Sequence, residues 1–277
     1  NRDQNQCALG NGWPRIPDGF LYAERSEITA KGGDAMTLRA MLFDLDGTLA
    51  ETEAFGHRPS YNDAFRALGL QFRWSERLYK RLLERPTGKD RLLHYLKRYE
   101  PELGGHAEAV AENPEAWVDQ VHALKSQHFD QRLKQGQVPL RPGIARLLQE
   151  TSDAGLRLAV VTNASARTIK SFLQHGLGKE LAARVSLIVG GESGLARKPA
   201  PDLYRHALGK LKLAPYECIA IEDSEMGLAA ASAAGIPTII TRNTETLSQD
   251  FLGAALVLDH LGDPAEHAVV VRGQMDE

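Results

Sequence analysis

At 277 residues, the chain has room for one large domain or two small ones. Hydrophobic residues at 43% and charged residues at 25% exclude a wholly disordered or fibrous chain, and apolar runs stop at about five residues, as in Ala254 to Leu258, where a membrane span needs roughly twenty. A formal charge of −3 provides no global basic field for nucleic acid, and two distant cysteines, Cys7 and Cys218, form neither a disulfide framework nor a zinc cluster, in keeping with a reducing cytoplasm.

Residues 1–35 carry Gly10, Gly12, Gly19, Gly32, Gly33, Pro14 and Pro17 and show no sustained periodicity. Four basic and five acidic residues without an apolar segment argue against a secretory signal or a transit peptide. The segment reads as an extension: an upstream readthrough, a linker or a disordered tail. From Arg39 the pattern turns regular. Ala40 to Phe43 is a short apolar run, and similar runs follow at 156–161, 185–189, 218–221, 238–241 and 256–258. Runs of this length and composition are expected of strands buried on both faces. Helix-like stretches alternate with them at 142–154, 165–174, 201–213 and 225–234, the last closed by Gly235 and Pro237. Strand alternating with helix predicts an α/β fold, a doubly wound parallel sheet.

One segment breaks the alternation. From 51 to about 137 the sequence reads as helix after helix, at 59–68, 75–83, 89–99 and 114–133, with no strand-like run. That is too long for one crossover, so an inserted helical subdomain is expected over 51–137, with a core made of 36–50 and 138–277.

Ligands of open parallel sheets bind at the carboxyl ends of the strands. The first strand ends in Asp44 and Asp46, the second in Thr162 and Asn163, the third leads to Lys198, and the fourth ends in Glu222 and Asp223. Four carboxylates on one edge repel one another unless a cation sits among them, and oxygen-only ligands suit Mg²⁺. A carboxylate beside such an ion and an ammonium is a competent nucleophile towards phosphorus, a second aspartate two residues on can carry the proton, and Gly47 lets the backbone turn sharply between them and the helix.

Phe43-Asp44-Leu45-Asp46-Gly47-Thr48-Leu49 resembles the first motif of the haloacid dehalogenase superfamily, and Val161-Thr162-Asn163-Ala164, Arg197-Lys198-Pro199 and Ile221-Glu222-Asp223-Ser224 resemble its other three, in the same order. The resemblance implies a Rossmann-like core with an all-helical cap. It implies Asp44 as nucleophile, Asp46 as general acid/base, and Thr162 and Lys198 as holders of the phosphoryl group. Mg²⁺ would be held by Asp44, Asp46 through its backbone carbonyl, Asp223, and Glu222 directly or through water. Ala50-Glu51-Thr52-Glu53, Gly56-His57-Arg58, Tyr61-Asn62 and Gly88-Lys89-Asp90-Arg91 are similar to the CbbY-like group, sugar-bisphosphate phosphatases acting on xylulose 1,5-bisphosphate. Thr87 and Asp90 depart from that group's usual glycine and glutamate. By family position Thr52 would lie at the hinge between cap and core.

A second phosphate needs cations in the cap, and Lys89, Arg91 and His57 are the candidates, with Glu53 for sugar hydroxyls and Asn163 beside Thr162 as a further substrate contact. Each has a plainer reading. Thr87 to Asp90 also fits a helix capping box that would leave Lys89 and Arg91 solvated. His57 and Glu53 fit packing or surface roles, and the other histidines, Trp74, Trp117 and Phe129 are expected in surface or cap-core positions. The expected function is a Mg²⁺-dependent sugar-phosphate phosphatase, with a β-phosphoglucomutase-type mutase as the alternative. Asp46 argues against a metal-free dehalogenase, and the intact motifs against a binding protein. A monomer is expected with a small-molecule substrate, no nucleic acid and no membrane, in the cytoplasm, or in the plastid stroma if the source is a photosynthetic eukaryote.

Overall fold

The computed structural model describes residues 28–29, 35–85, 87–263 and 267–273. The reading of 1–35 as an extension therefore falls almost wholly outside the described residues, apart from an antiparallel pair, β1 (Ile28–Thr29) with β2 (Ala35–Met36). The main sheet contains β3 (Ala40–Phe43), β4 (Arg157–Val161), β5 (Val185–Val189), β6 (Cys218–Glu222), β7 (Thr238–Thr241), β8 (Leu256–Leu258) and β9 (Val270–Gly273). The strand order is β5-β4-β3-β6-β7-β8-β9, parallel throughout except for β9. This is the doubly wound sheet the alternation predicts. The chain leaves β3 towards β4 on one side and β6 on the other, so β3 stands at the switch point where such folds bind ligands. Sequence reasoning misses β9: Val269 to Val271 are all substantially exposed, and β5 at the opposite edge is also only partly buried, with Ile188 exposed, so burial on both faces holds for the central strands and not for the edges.

Between β3 and β4 lie α1 (Arg58–Ala67), α2 (Glu76–Leu82), α3 (Gly88–Tyr99), α4 (Ala107–Glu112), α5 (Pro114–Lys134) and α6 (Ile144–Asp153). After β4 come α7 (Ala166–Ser171), a π-helical turn over Phe172–Leu177, and α8 (Gly178–Ala182), then α9 (Asp202–Leu211) and α10 (Glu225–Ala233). The short α4 and α8 have no sequence counterpart, because six- and five-residue helices are too short to show a periodic stripe. A second π-helical turn, Thr52–His57, opens the helical segment. No helix among the described residues is long and apolar enough to cross a membrane.

Successive side chains of a strand point to opposite faces, and β3 shows it. Met41 and Phe43 enter a cluster with Ile144, Leu147 and Leu148 of α6, whereas Ala40 and Leu42 enter another with Leu203, Tyr204 and Ala207 of α9 and Ala230 and Ala231 of α10. A third cluster lies wholly within the helical segment and is aromatic: Tyr61, Phe65, Trp74, Tyr79 and Tyr95 pack with Leu82, Leu92, Trp117, Val118 and Val121. Burying each of its large side chains is worth about 1.5–3 kcal/mol, which gives the segment a core of its own. The long α5 belongs to two clusters. Trp117, Val118 and Val121 pack in the third, while Phe129 and Leu133, three turns on, pack against the sheet. Phe129 is therefore a sheet-core residue and not the cap-core residue expected beside Trp74 and Trp117.

The chain enters and leaves the helical segment at adjacent points. Ala50 pairs with Leu140 in an isolated antiparallel bridge. Glu51 N donates to Pro139 O at 3.0 Å, and Arg141 N to Leu49 O at 3.1 Å.

Candidate active site

The strand ends carry the first group of residues into register. Asp44 N donates to Ile221 O at 3.0 Å, and Thr162 N to Val189 O at 3.0 Å, so ladder-type bonds fix both positions beyond the strands that deliver them. Gly47 follows at φ +83°, and a Cβ there would stand 2.4 Å from Asp223 Oδ2. Only glycine combines that left-handed turn with so close an approach to a carboxylate.

Lys198 organises the carboxylates. Its Nζ donates to Asp44 Oδ1 at 2.6 Å and to Glu222 Oε1 at 2.5 Å, and the Tyr204 hydroxyl donates to the same Glu222 oxygen at 2.6 Å. All of these side chains are buried. Burial pushes Asp44 up to about 7, with Lys198 pulling it down and Glu222 and Asp46 adding to the rise. Burial opposes the Lys198 charge, yet Asp44 and Glu222 carry its pKa above the ordinary lysine value. Asp223 is raised well above the usual carboxylate range by burial and by the charges of Asp44 and Glu222.

Asp44, Glu222 and Asp223 each bring an oxygen within 4.8 Å of the others. Glu222 Oε2 is buried without a hydrogen-bond partner, and Gly227 is what makes room for it, since a Cβ there would stand 1.8 Å away. Three crowded carboxylates against one ammonium leave an excess of two negative charges, and hard oxygen donors with one orphaned atom fit a divalent cation such as Mg²⁺. The Asp46 side chain takes no part in this trio.

Thr162 is buried, and its Oγ1 accepts from Ala164 N at 3.1 Å, which leaves the hydroxyl proton available to an anion. Asn163 does something other than the expected substrate contact. Its Nδ2 donates to Lys198 O at 3.2 Å and its Oδ1 accepts from Lys198 N at 2.9 Å, so both ends of the amide clasp the backbone of the lysine.

A second group comes from the helical segment. Asp46 Oδ1 is 3.1 Å from His57 Nε2, and His57 Nδ1 is 2.7 Å from Lys125 Nζ. An ammonium can only donate, so Nδ1 accepts from Lys125 and the ring proton resides on Nε2, pointing at Asp46. His57 also stacks on Phe129 with centroids 4.3 Å apart. Burial raises Asp46, but the electrostatic pull of the His57 ring and the hydrogen bond it donates prevail and hold the carboxyl below its ordinary value. Burial lowers Lys125 to about 8, against the upward pull of Glu53 and Asp46. Beside this chain, Glu53 Oε2 accepts from the Tyr79 hydroxyl at 2.5 Å, Arg91 Nη1 donates to that hydroxyl at 3.3 Å, and Arg91 Nη1 stands 3.8 Å from Glu53 Oε1.

Lys89 does not join them. Its Nζ pairs with Asp119 at 2.8 Å, with the side chains 52% and 61% exposed. Positions 89 and 91 lie about 200° apart around a helix, so both cannot face one site. Thr87 caps α3, its Oγ1 accepting from Asp90 N at 3.1 Å and donating to Asp90 Oδ2 at 2.6 Å, and Gly88 allows close packing, since a Cβ there would stand 2.3 Å from the Tyr61 hydroxyl. Thr87 is the N-cap, but the box is not closed, because the Asp90 carboxylate accepts from the Thr87 hydroxyl and not from its backbone N–H, and Arg91 turns inward. His122 behaves as a packing residue, with burial and then the Lys125 charge pushing it down to about 4.

Residues 38–235 match the family of haloacid dehalogenase-like hydrolases. The CbbY protein of the Cupriavidus necator plasmid is 44% identical over 229 residues, covering 83% of this chain and 88% of that protein. The crystal structure of CbbY from Rhodobacter sphaeroides in complex with phosphate superposes with a TM-score of 0.71 at 34% identity, over 82% of this chain and 96% of the other. An Asp-to-Asn variant of that protein in complex with xylulose-(1,5)bisphosphate gives a TM-score of 0.71 at 33% identity and the same coverage. The chain belongs to the haloacid dehalogenase-like hydrolases, in their CbbY-type branch, and is a sugar-phosphate phosphatase.

Proposed function

We propose that this CbbY-type hydrolase removes one phosphate from a sugar bisphosphate, xylulose 1,5-bisphosphate, in a Mg²⁺-dependent reaction through an aspartyl-phosphate on Asp44, with residues 51–137 acting as a cap over the core. The observation that carries the reading is the pairing of two anion-handling groups. Lys198, between Asp44 and Glu222, faces one phosphate. Arg91 and Lys125 supply positive charge on the cap side for the rest of the substrate, with His57 linking Lys125 to Asp46.

Asp44, Asp223 and Glu222 Oε2 would hold Mg²⁺, with the Asp46 carbonyl as a further ligand. The ion would neutralise the carboxylates and the charge on the transferring phosphoryl oxygens. Lys198 and the Thr162 hydroxyl hold that group in line with Asp44. Asp46, held as a carboxylate by His57 before substrate arrives, takes up a proton as the anionic phosphate binds beside it. Asp44 attacks phosphorus, the bond from phosphorus to the sugar oxygen breaks, and that oxygen takes this proton from Asp46. Asp46 then accepts a proton from the water that cleaves the Asp44 acyl phosphate, releasing phosphate and restoring both aspartates. His57 keeps the Asp46 oxygen aimed by donating from Nε2, and Lys125 keeps His57 in that tautomer. Glu53 offers hydrogen-bond acceptors to sugar hydroxyls, and the buried Tyr79 hydroxyl fixes its carboxylate. Lys89 and Asn163 are left out of the substrate-binding set.

The deciding experiment runs two reactions with Mg²⁺. One follows phosphate released from xylulose 1,5-bisphosphate. The other follows glucose 6-phosphate formed from β-glucose 1-phosphate with a trace of glucose 1,6-bisphosphate. Fast phosphate release in the first alone is expected, and fast product in the second alone would make the protein a mutase.

A further inference from the structure

Arg141 lies at the return from the helical segment and is 5% exposed. Every guanidinium nitrogen is engaged. Nε donates to Glu51 Oε1 at 3.0 Å, and Nη2 donates to Arg242 O at 2.8 Å and Asp259 O at 2.9 Å. Nη1 faces Gly47 O at 3.0 Å, Thr241 O at 2.5 Å and Thr241 Oγ1 at 2.8 Å. These backbone acceptors lie at or just beyond the carboxyl ends of β3, β7 and β8, the edge on which the site is built. Inward-pointing carbonyls from three segments need a planar donor with several N–H groups, which an ammonium on a flexible stem does not reproduce.

The Gly47 carbonyl has a second donor. Asn243 Nδ2 reaches it at 3.1 Å and reaches Asp223 Oδ2 at 2.7 Å. Gly47 also packs directly on that carboxylate, as the absent Cβ shows. Arg141, Gly47 and Asn243 thus form one chain of contacts to Asp223, with the Gly47 carbonyl shared between Arg141 and the amide that binds the Asp223 oxygen.

We infer that Arg141 is a positioning residue that aims the Asp223 carboxylate at the divalent cation, acting through the Gly47 carbonyl and Asn243. The inference rests on the metal reading proposed above. It adds a residue outside the four motifs, and one that touches neither substrate nor metal.

The test is calorimetric titration of Mg²⁺ into the metal-free full chain, for wild type, Arg141→Lys, Asn243→Ala and the double variant, each with its circular dichroism and melting temperature recorded. Second-sphere partners of a metal ligand typically contribute about 10–100-fold in affinity, so each single variant is expected to bind Mg²⁺ about tenfold more weakly. Residues acting along one route couple, and the double variant is expected to bind no more weakly than either single one. Glu51→Gln alters the other side of the guanidinium and is expected to keep wild-type affinity. A folded Arg141→Lys protein with wild-type affinity, additive losses in the double variant, or an equal loss in Glu51→Gln would each overturn the inference. If Arg141→Lys does not fold, Asn243→Ala decides, because wild-type Mg²⁺ affinity there cuts the route. Wild-type protein that takes up no Mg²⁺ would remove the metal reading and this inference with it. Wild-type uptake with unchanged variants removes this inference alone.

Discussion

The two halves of the site are held in different ways. On the sheet edge, Asp44, Thr162 and Lys198 take backbone bonds immediately beyond the strands or from Asn163, and their side chains then have little freedom. On the helical side, His57, Lys125, Glu53, Tyr79 and Arg91 come from the π-helical turn and three separate helices, and what joins them is side chain to side chain. A strand end dictates where a side chain goes. A helix face dictates it only after the helices have packed. In the proposed reading, phosphoryl transfer falls to the rigid half and recognition of the rest of the substrate to the half that packing can vary.

If that division is right, substitutions on the rigid half should damage turnover for every phosphate ester. Asp44→Asn is expected to lower turnover by about 10⁴-fold or more on any substrate while the protein stays folded, and a retained rate would remove Asp44 as the nucleophile. Lys198→Ala strands the Asp44 and Glu222 carboxylates in the interior, and removing one partner of so buried a group costs about 3–5 kcal/mol, to be read as a lower urea midpoint at unchanged slope.

Substitutions on the helical half should separate substrates. Arg91→Met is expected to raise KM for the bisphosphate at least tenfold and to leave p-nitrophenyl phosphate nearly unaffected; equal effects on both would return Arg91 to a structural role. Acid should weaken metal binding at the sheet edge. Asp44 in the metal-free protein is raised from 3.8 to about 7, so protons compete with Mg²⁺ below that pH. Apparent Mg²⁺ affinity is expected to fall as pH drops from 8 to 6, with proton release on binding. The same raised pKa means the metal-free native state binds more protons than the unfolded chain between pH 4 and 7, so this group's contribution to stability is lost as pH rises through 7. The smallest effect is expected of Lys89→Ala, since an exposed ion pair contributes about 0–1 kcal/mol, and KM for the bisphosphate should stay within about twofold of wild type.

The same division explains what could be read from the sequence. That Asp44, Asp46, Thr162, Glu222 and Asp223 share one edge is legible because a strand end converts sequence position directly into place, whereas Lys198 follows β5 by nine residues of loop and is legible only through its motif. Asn163 was legible as a neighbour but not in its task, since its partner is the backbone of a residue 35 positions away. Lys125 has a signal in the sequence: Val118, Val121, Lys125 and Phe129 recur at helical spacing, so a lysine stands in the apolar stripe of α5 where a hydrophobe is expected. Tyr79 and Tyr204 belong to no motif and pack in the apolar clusters, and only the fold shows that each hydroxyl finds a site carboxylate. Arg141 had no periodic or motif signal, because its partners are carbonyls brought together by the sheet.

The double membership of α5 carries a mechanical consequence. A lobe tethered only by two adjacent strands, as at Ala50 and Leu140, would swing like a door. This lobe is also a beam built into both walls. Its long helix is anchored in the aromatic cluster at one end and in the sheet core at the other. A swing about the tethers would drag Phe129 and Leu133 out of the sheet core, and losing either contact costs several kcal/mol. Low-energy opening therefore has its fulcrum at the C-terminal end of α5, where the Phe129 ring lies against His57. The imidazole beside Asp46 lies at that fulcrum, so an opening about it would leave His57 near its place and carry the aromatic cluster farther.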